Sequence, residues 1–190
     1  MHEIQRYNIA LIPASQSVNT ALYREAERFK DRADGYCLEK NVALPHATLC
    51  QFMAAEKEAL HILSLYETRH CPVNIQDLYA NEGQEHRAGT SWIGYAVKPA
   101  PELLALQKEI YDTLKAQDLE VLTRTPEAYF PHFTLALVSA SPPVKRAIPD
   151  TLNQTIECRI QLGLSDDNGQ LLKIIQPHPP RGLKPMPTGN

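Results

Sequence analysis

Two short stretches of the chain are nearly the same. One reads Pro45-His46-Ala47-Thr48-Leu49, the other Pro131-His132-Phe133-Thr134-Leu135, with the histidines 86 residues apart. Each lies in a run that reads as a strand, Val42 to Phe52 and Phe130 to Val138. Side chains alternate faces along a strand. His46 and Thr48 therefore share one face, as do His132 and Thr134, while Phe133, Leu135 and Leu137 form an apolar row behind. Two such strands side by side would gather two imidazoles and two hydroxyls around one point. That set suits displacement at phosphorus. A base must take a proton from the attacking oxygen and an acid must give one to the departing oxygen. Imidazole does either near neutral pH. Threonine hydroxyls can donate to non-bridging phosphate oxygens. The chemistry needs no cofactor and no metal, and none is expected.

A blander account exists for each residue. Threonine favours strands anyway, and one His-x-Thr would carry little weight. The weight rests on the second copy. Around the motifs, Cys50 and Phe52 continue the face of His46 and Thr48. Phe52 is a candidate for stacking on a base, and so is Tyr129, just ahead of the second motif. Phe130 and Trp92 have the same chemistry, since unpaired bases are commonly held on aromatic rings. Arg87, in a polar stretch with Glu85 and His86, and Arg124, upstream of the second motif, are cations within possible reach. Neither is assigned a role.

The elements that must position these groups alternate between strand and helix. Tyr7 to Ile12 reads as a buried strand closed by Pro13. Ser17 to Ala33 has Leu22, Ala26 and Phe29 at helical spacing, with Ser17 or Asn19 as cap and Gly35 as stop. Ala54 to Glu67 is a second helix with Leu60, Leu63 and Leu65 as apolar contacts. Val73 to Tyr79 is a strand, Asn81 to Gly89 a polar loop, and Ser91 to Val97 a strand. Pro99 to Gln117 has the clearest helical pattern, with Leu103, Leu106, Ile110 and Leu114 on one face and Pro101 in the first turn. Pro142 to Leu152 has room for a short helix. Glu157 to Leu164 and Gln170 to Ile175 flank the turn Ser165-Asp166-Asp167-Asn168-Gly169 and read as a hairpin.

Composition bounds the setting. The 190 residues are 43% hydrophobic and 22% charged, ordinary for a folded chain large enough to bury a core. A net charge of −3 argues against a long non-specific grip on nucleic acid, which needs a basic face. It leaves open a small site for one phosphate. Cys37, Cys50, Cys71 and Cys158 form no Cys-x-x-Cys and no zinc spacing. The start, Met-His-Glu-Ile-Gln-Arg, has no apolar signal region, and no apolar run is long enough to span a membrane. A cytoplasmic, monomeric protein with idle thiols, away from membranes, is expected. Residues 1–176 form the expected domain. The remainder, 177–190, holds five prolines among few apolar groups and is expected to be an extended or disordered tail.

Paired His-x-Thr motifs in strands of a two-lobed α/β chain resemble the signature of the 2H phosphoesterases. That superfamily includes 2′-5′ RNA ligase-like proteins and 2′,3′-cyclic phosphodiesterases. The resemblance covers the order of elements across residues 4–176, with Pro45 and Pro131 ahead of the histidines and Leu49 and Leu135 behind. It implies an α+β, bilobal fold, with two antiparallel-rich sheets facing a central cleft and helices packed outside. It implies His46 and His132 as catalytic and Thr48 and Thr134 as phosphate-binding. The substrate it implies is a nucleotide or RNA-end phosphodiester, foremost a 2′,3′-cyclic phosphate. The alternatives are the reverse transesterification, a 2′-5′ ligation, and a module that binds a nucleotide phosphate without turnover. Many ligase-like members carry a basic residue shortly after the second motif, where this chain has Ala136-Leu137-Val138.

Overall fold

The local pattern of apolar and polar residues becomes, in a computed structural model of the chain, a set of interlocked strands with helices on their outer faces. The structure describes residues 3–83, 87–139 and 147–176. The chain opens with β1 (Ile4–Pro13), α1 (Gln16–Glu27), β2 (Ala33–Cys37) and β3 (Ala47–Ala55), the strand that follows the first motif histidine. Next come α2 (Glu56–Ser64), β4 (His70–Val73) and β5 (Ile75–Glu82). Then β6 (Thr90–Val97), α3 (Pro101–Ala116), β7 (Glu120–Val121) and β8 (His132–Ser139) lead into the second motif. The hairpin of β9 (Ile156–Ser165) and β10 (Leu171–Ile174) ends the described chain.

Every strand pairing is antiparallel. The order is β10-β9-β1-β3-β8-β6-β5, with β4 on β9, β7 on β3 and β2 on β8. The two lobes are β10-β9-β1-β3 and β8-β6-β5. Among the described residues a single ladder pair, Ala47 with Phe133, joins them, so hydrogen bonding runs on from one lobe's sheet into the other.

The order of elements repeats. β1-α1-β2-β3 and β6-α3-β7-β8 are each strand, helix, short strand and motif strand. In both, the first strand pairs with its own motif strand. The short strand crosses over: β2 lies on β8, and β7 on β3. The helices cross too, with α1 packed on β8 and α3 on β3.

α3 follows its sequence pattern closely. Pro101 takes the first turn, where its missing N–H costs nothing, and Leu103, Leu106, Ile110 and Leu114 are all buried. Each such burial contributes roughly 1.5–3 kcal/mol. α2 is fixed at its start by Glu58, whose carboxylate accepts the Ala55 backbone N–H at 2.9 Å. This caps one of the donors that a helix start leaves open.

Several expected boundaries shift. α1 ends at Glu27 and is followed by a 3-10 turn at Lys30–Arg32. Gly35, at φ +80°, serves an irregularity in β2 rather than a helix stop. Pairing with β8 claims residues 33–37, and ladder bonds there outweigh helical propensity. Ser15, not Ser17 or Asn19, precedes the helix. In α2 it is Ala59, Ile62 and Leu63 that are buried, while Leu65 is half-exposed. The run Val73 to Tyr79 divides at Asn74, because β4 pairs with β9 in one lobe and β5 with β6 in the other. Residues 147–152 hold no helix. The rest of that expected helix, residues 84–86 of the polar loop and the tail 177–190 lie outside the described residues. The four cysteines are free thiols, and burial pushes Cys50 and Cys158 up to about 12. Among the described residues no helix is long and apolar enough to cross a membrane.

Candidate active site

The site is built where the two motif strands touch. Ala47 and Phe133, the residues between histidine and threonine in each motif, are opposite each other. Antiparallel register about that pair sets His46 alongside Thr134 and His132 alongside Thr48. Ala47, Leu49, Phe133 and Leu135 turn the other way and are buried.

Both motif strands then carry a bulge at the same motif position. Ile9 pairs with Cys50 but Ala10 with Thr48, which skips Leu49. Ile93 pairs with Ala136 but Gly94 with Thr134, which skips Leu135. A bulge resets the alternation of side chains. Past Leu49 the cleft-facing residue is therefore Gln51, not Cys50 or Phe52. Gln107 from α3 serves the bulge, its Nε2 donating to the Leu49 carbonyl at 3.5 Å. The expectation for Phe52 is corrected by this geometry. Its ring is 0% exposed and packs on Tyr7 at a centroid distance of 6.0 Å, so no base can stack on it.

His46 and His132 are held differently. Nδ1 of His46 faces the Leu44 carbonyl at 2.8 Å, and its Nε2 faces the Gly169 carbonyl at 3.2 Å. Two carbonyl acceptors on one ring are both satisfied only when both nitrogens carry protons. His132 has one such partner, the Phe130 carbonyl, at 2.6 Å from Nδ1. With a proton on Nδ1, its Nε2 is left as a bare acceptor. Burial lowers the proton affinity of both rings. For His46 the two carbonyls and Asp166 work against that shift. For His132 the Phe130 carbonyl opposes it, while the charges of His46 and Arg124 add to it. The Phe130 ring stacks on His132 at 5.3 Å, and Tyr79 meets it edge-on at 5.2 Å.

The threonines are oriented by neighbours on the adjoining strands. Asn8 is a fully buried polar residue of β1, and its Nδ2 donates to Thr48 Oγ1 at 3.0 Å. The Thr48 proton is then free to point elsewhere. Tyr79 Oη lies 3.4 Å from Thr134 Oγ1. Its ring lies over Gly94, where a Cβ would stand 2.6 Å from ring carbon Cε1. Tyr129 lines the cleft and donates its hydroxyl to the Thr48 carbonyl at 2.8 Å. It thus braces the first motif whatever its ring touches.

All four motif side chains line one cleft of about 870 Å³, in the range of small-molecule sites. Tyr36, Trp92 and Arg87 are among its lining residues. The Arg87 guanidinium lies over the Trp92 ring at 4.9 Å and bonds to Asn168. Gln51, Thr123, Arg124 and Phe130 line it too. The turn Asp166 to Gly169 reaches the cleft beside His46, with Gly169 at φ +81°. Sequence reasoning missed Asn8, Gln51, Tyr79 and this turn. Asn8 had a signal, as a lone polar residue in the run Tyr-Asn-Ile-Ala-Leu-Ile. Among the described residues no cluster of His, Cys, Asp or Glu could hold a metal ion.

No family model and no curated protein matches the chain. Solved structures do. The crystal structure of E. coli LigT complexed with NADP+ superposes with a TM-score of 0.52 at 16% identity, over 90% of this chain and 94% of that one. E. coli LigT complexed with 3′-AMP superposes at 0.49 and 17%, over 86% and 89%. On the first of these, the chain has the bilobal α+β fold of E. coli LigT.

Proposed function

We propose that this chain is a metal-independent 2H phosphoesterase that opens 2′,3′-cyclic phosphates of nucleotides or RNA ends. One observation carries the reading. The two His-x-Thr motifs meet at the Ala47–Phe133 pair, so both histidines and both threonines line one cleft. The NADP+ complex of the LigT structure supports a nucleotide as ligand class.

The different holds on the two rings support a division of roles. His132, with a bare Nε2 and the Arg124 charge against it, is the base. His46, with carbonyls at both nitrogens and Asp166 nearby, is the acid. Water gives its proton to His132 Nε2 and bonds to phosphorus. The bond to one ribose oxygen breaks, and that oxygen takes the proton from His46 Nε2, until then held toward the Gly169 carbonyl. Thr48 and Thr134 donate to the non-bridging oxygens, where negative charge gathers. Tyr129 is the remaining candidate for contact with the base. Action as a monomer in a reducing cytoplasm, with the four thiols free, is part of this reading. The same groups run in reverse would join RNA ends by a 2′-5′ linkage. A cleft of about 870 Å³, lined by residues of both repeats, supports that as the second reading.

The test is hydrolysis of a panel of nucleoside 2′,3′-cyclic monophosphates in EDTA, with the product isomer identified. His46→Ala and His132→Ala should each lose on the order of 10²–10⁴-fold in rate while still folded. Full activity in either mutant refutes the two-histidine mechanism. Tight binding with no product in wild type would make the chain a binding module.

A further inference from the structure

A phosphodiester brings a negative charge into the cleft, and attack at phosphorus spreads that charge over the non-bridging oxygens. The two threonine hydroxyls are neutral donors. A fixed cation is the usual complement. The residues after the second motif cannot supply one, because Ala136, Leu137 and Val138 are apolar and buried. Arg87 is tied to Asn168 and laid over Trp92. Arg6 pairs with Asp167 and donates to the Asp166 carbonyl.

Arg124 is placed otherwise. It lines the cleft together with Thr48, Gln51 and His132. Among the described residues it has no acidic partner. The segment that carries it is anchored to the first motif strand at three points. Val121 pairs with Phe52, the Leu122 N–H donates to the Gln51 carbonyl at 2.8 Å, and the Gln51 N–H donates to Thr123 Oγ1. So the crossed strand β7 delivers a cation from the second repeat to the cleft beside the first motif.

We propose that Arg124 is the phosphate-binding cation of this site, contacting the non-bridging oxygens of a bound phosphodiester from the His132 side. The proposal rests on the phosphoesterase reading above and adds a residue that neither motif contains. Arg124 also acts on the base. The groups that bear on His132 are the charges of His46 and Arg124, the Phe130 carbonyl, and the rings of Phe130 and Tyr79. Of these, Arg124 can be neutralised without touching either motif.

The experiment compares wild type, Arg124→Gln and Arg124→Lys as full chains. It reads thermal stability, kcat/KM against pH on the cyclic panel, and calorimetric binding of nucleoside 2′- and 3′-monophosphates. Arg124→Gln should keep its stability and lose about 10²-fold in kcat/KM, with monophosphate affinity down about tenfold. Lysine should restore part of both. The acidic limb of the profile should move to higher pH in Arg124→Gln, because a charge that disfavours protonated His132 has gone. A role confined to holding the loop would leave that limb in place. A folded Arg124→Gln with rate, affinity and profile unchanged overturns the proposal and leaves the two-histidine reading standing. If wild type binds monophosphates without turnover, their affinity alone decides for or against Arg124. Wild type that neither turns over nor binds would overturn both.

Discussion

Replacing Gly94 by alanine places a methyl group where the structure has no room for one. The new Cβ would stand 2.1 Å from the Phe133 carbonyl oxygen and 2.6 Å from Cε1 of Tyr79. The first neighbour is backbone and cannot swing aside. To reach even about 3 Å, the shortest ordinary carbon–oxygen contact, it must retreat by nearly 1 Å. Phe133 lies between His132 and Thr134, so both motif side chains move with it. Tyr79, which leans on His132 and reaches Thr134, is pushed off as well. Overpacking of this kind costs about 1–3 kcal/mol of stability. A 1 Å displacement of catalytic groups costs about 10²-fold in rate. The expected result is a modest fall in melting temperature with a loss of about two orders of magnitude in kcat/KM on a 2′,3′-cyclic nucleotide. The corresponding position of the other lobe already carries a methyl group, since Ala10 pairs with Thr48 as Gly94 pairs with Thr134. The Gly94 effect is therefore specific to the lobe where a tyrosine ring covers the strand. A folded Gly94→Ala with activity within about threefold of wild type would refute the reasoning, because strand spacing would then not set the site.

Burial lowers both histidine pKa values from the ordinary 6.5, so the bell-shaped kcat/KM profile should peak on the acidic side of that value. A peak well above it would contradict the arrangement. The same shifts act on stability. The unfolded chain binds these protons more readily than the native one, so stability should rise with pH up to about 6.5 and fall away as pH drops below it. Chemical denaturation at a series of pH values should show this slope, and His46→Gln should flatten it. Phe52→Leu should lower stability by about 1 kcal/mol and leave KM within twofold of wild type. A large KM effect would return Phe52 to the cleft.

The motifs and the clearest helix were legible because each is a strong local pattern. Repetition carried the histidines, and four apolar residues at three- and four-residue steps carried α3. What escaped notice depends on pairing at a distance. β2 and β7 are short, and their identity as strands comes from β8 and β3, each far away in sequence. The bulges at Leu49 and Leu135 leave no composition signal of their own. One such bulge is enough to exchange the two faces of a strand, and it put Phe52 in the core and Gln51 in the cleft. Tyr79 read as an ordinary strand aromatic, and its reach to Thr134 depends on a glycine in the next strand. The approach of Gly169 to His46 spans 123 residues, beyond any local reading.

The crossed short strands also bear on how the molecule comes apart. Each repeat lends a strand and a helix to the other, so neither half keeps its own hydrophobic contacts once the other is lost. Loosening one half therefore strips the other. Unfolding should register as one cooperative transition with coincident optical signals from both halves, not as two steps. By the same logic, a backbone nick between Glu67 and Arg69, in the exposed turn after α2 that lies between the two repeats, need not scatter the pieces. Each fragment would present the edge its counterpart completes, and the two should reassociate into a working whole when mixed.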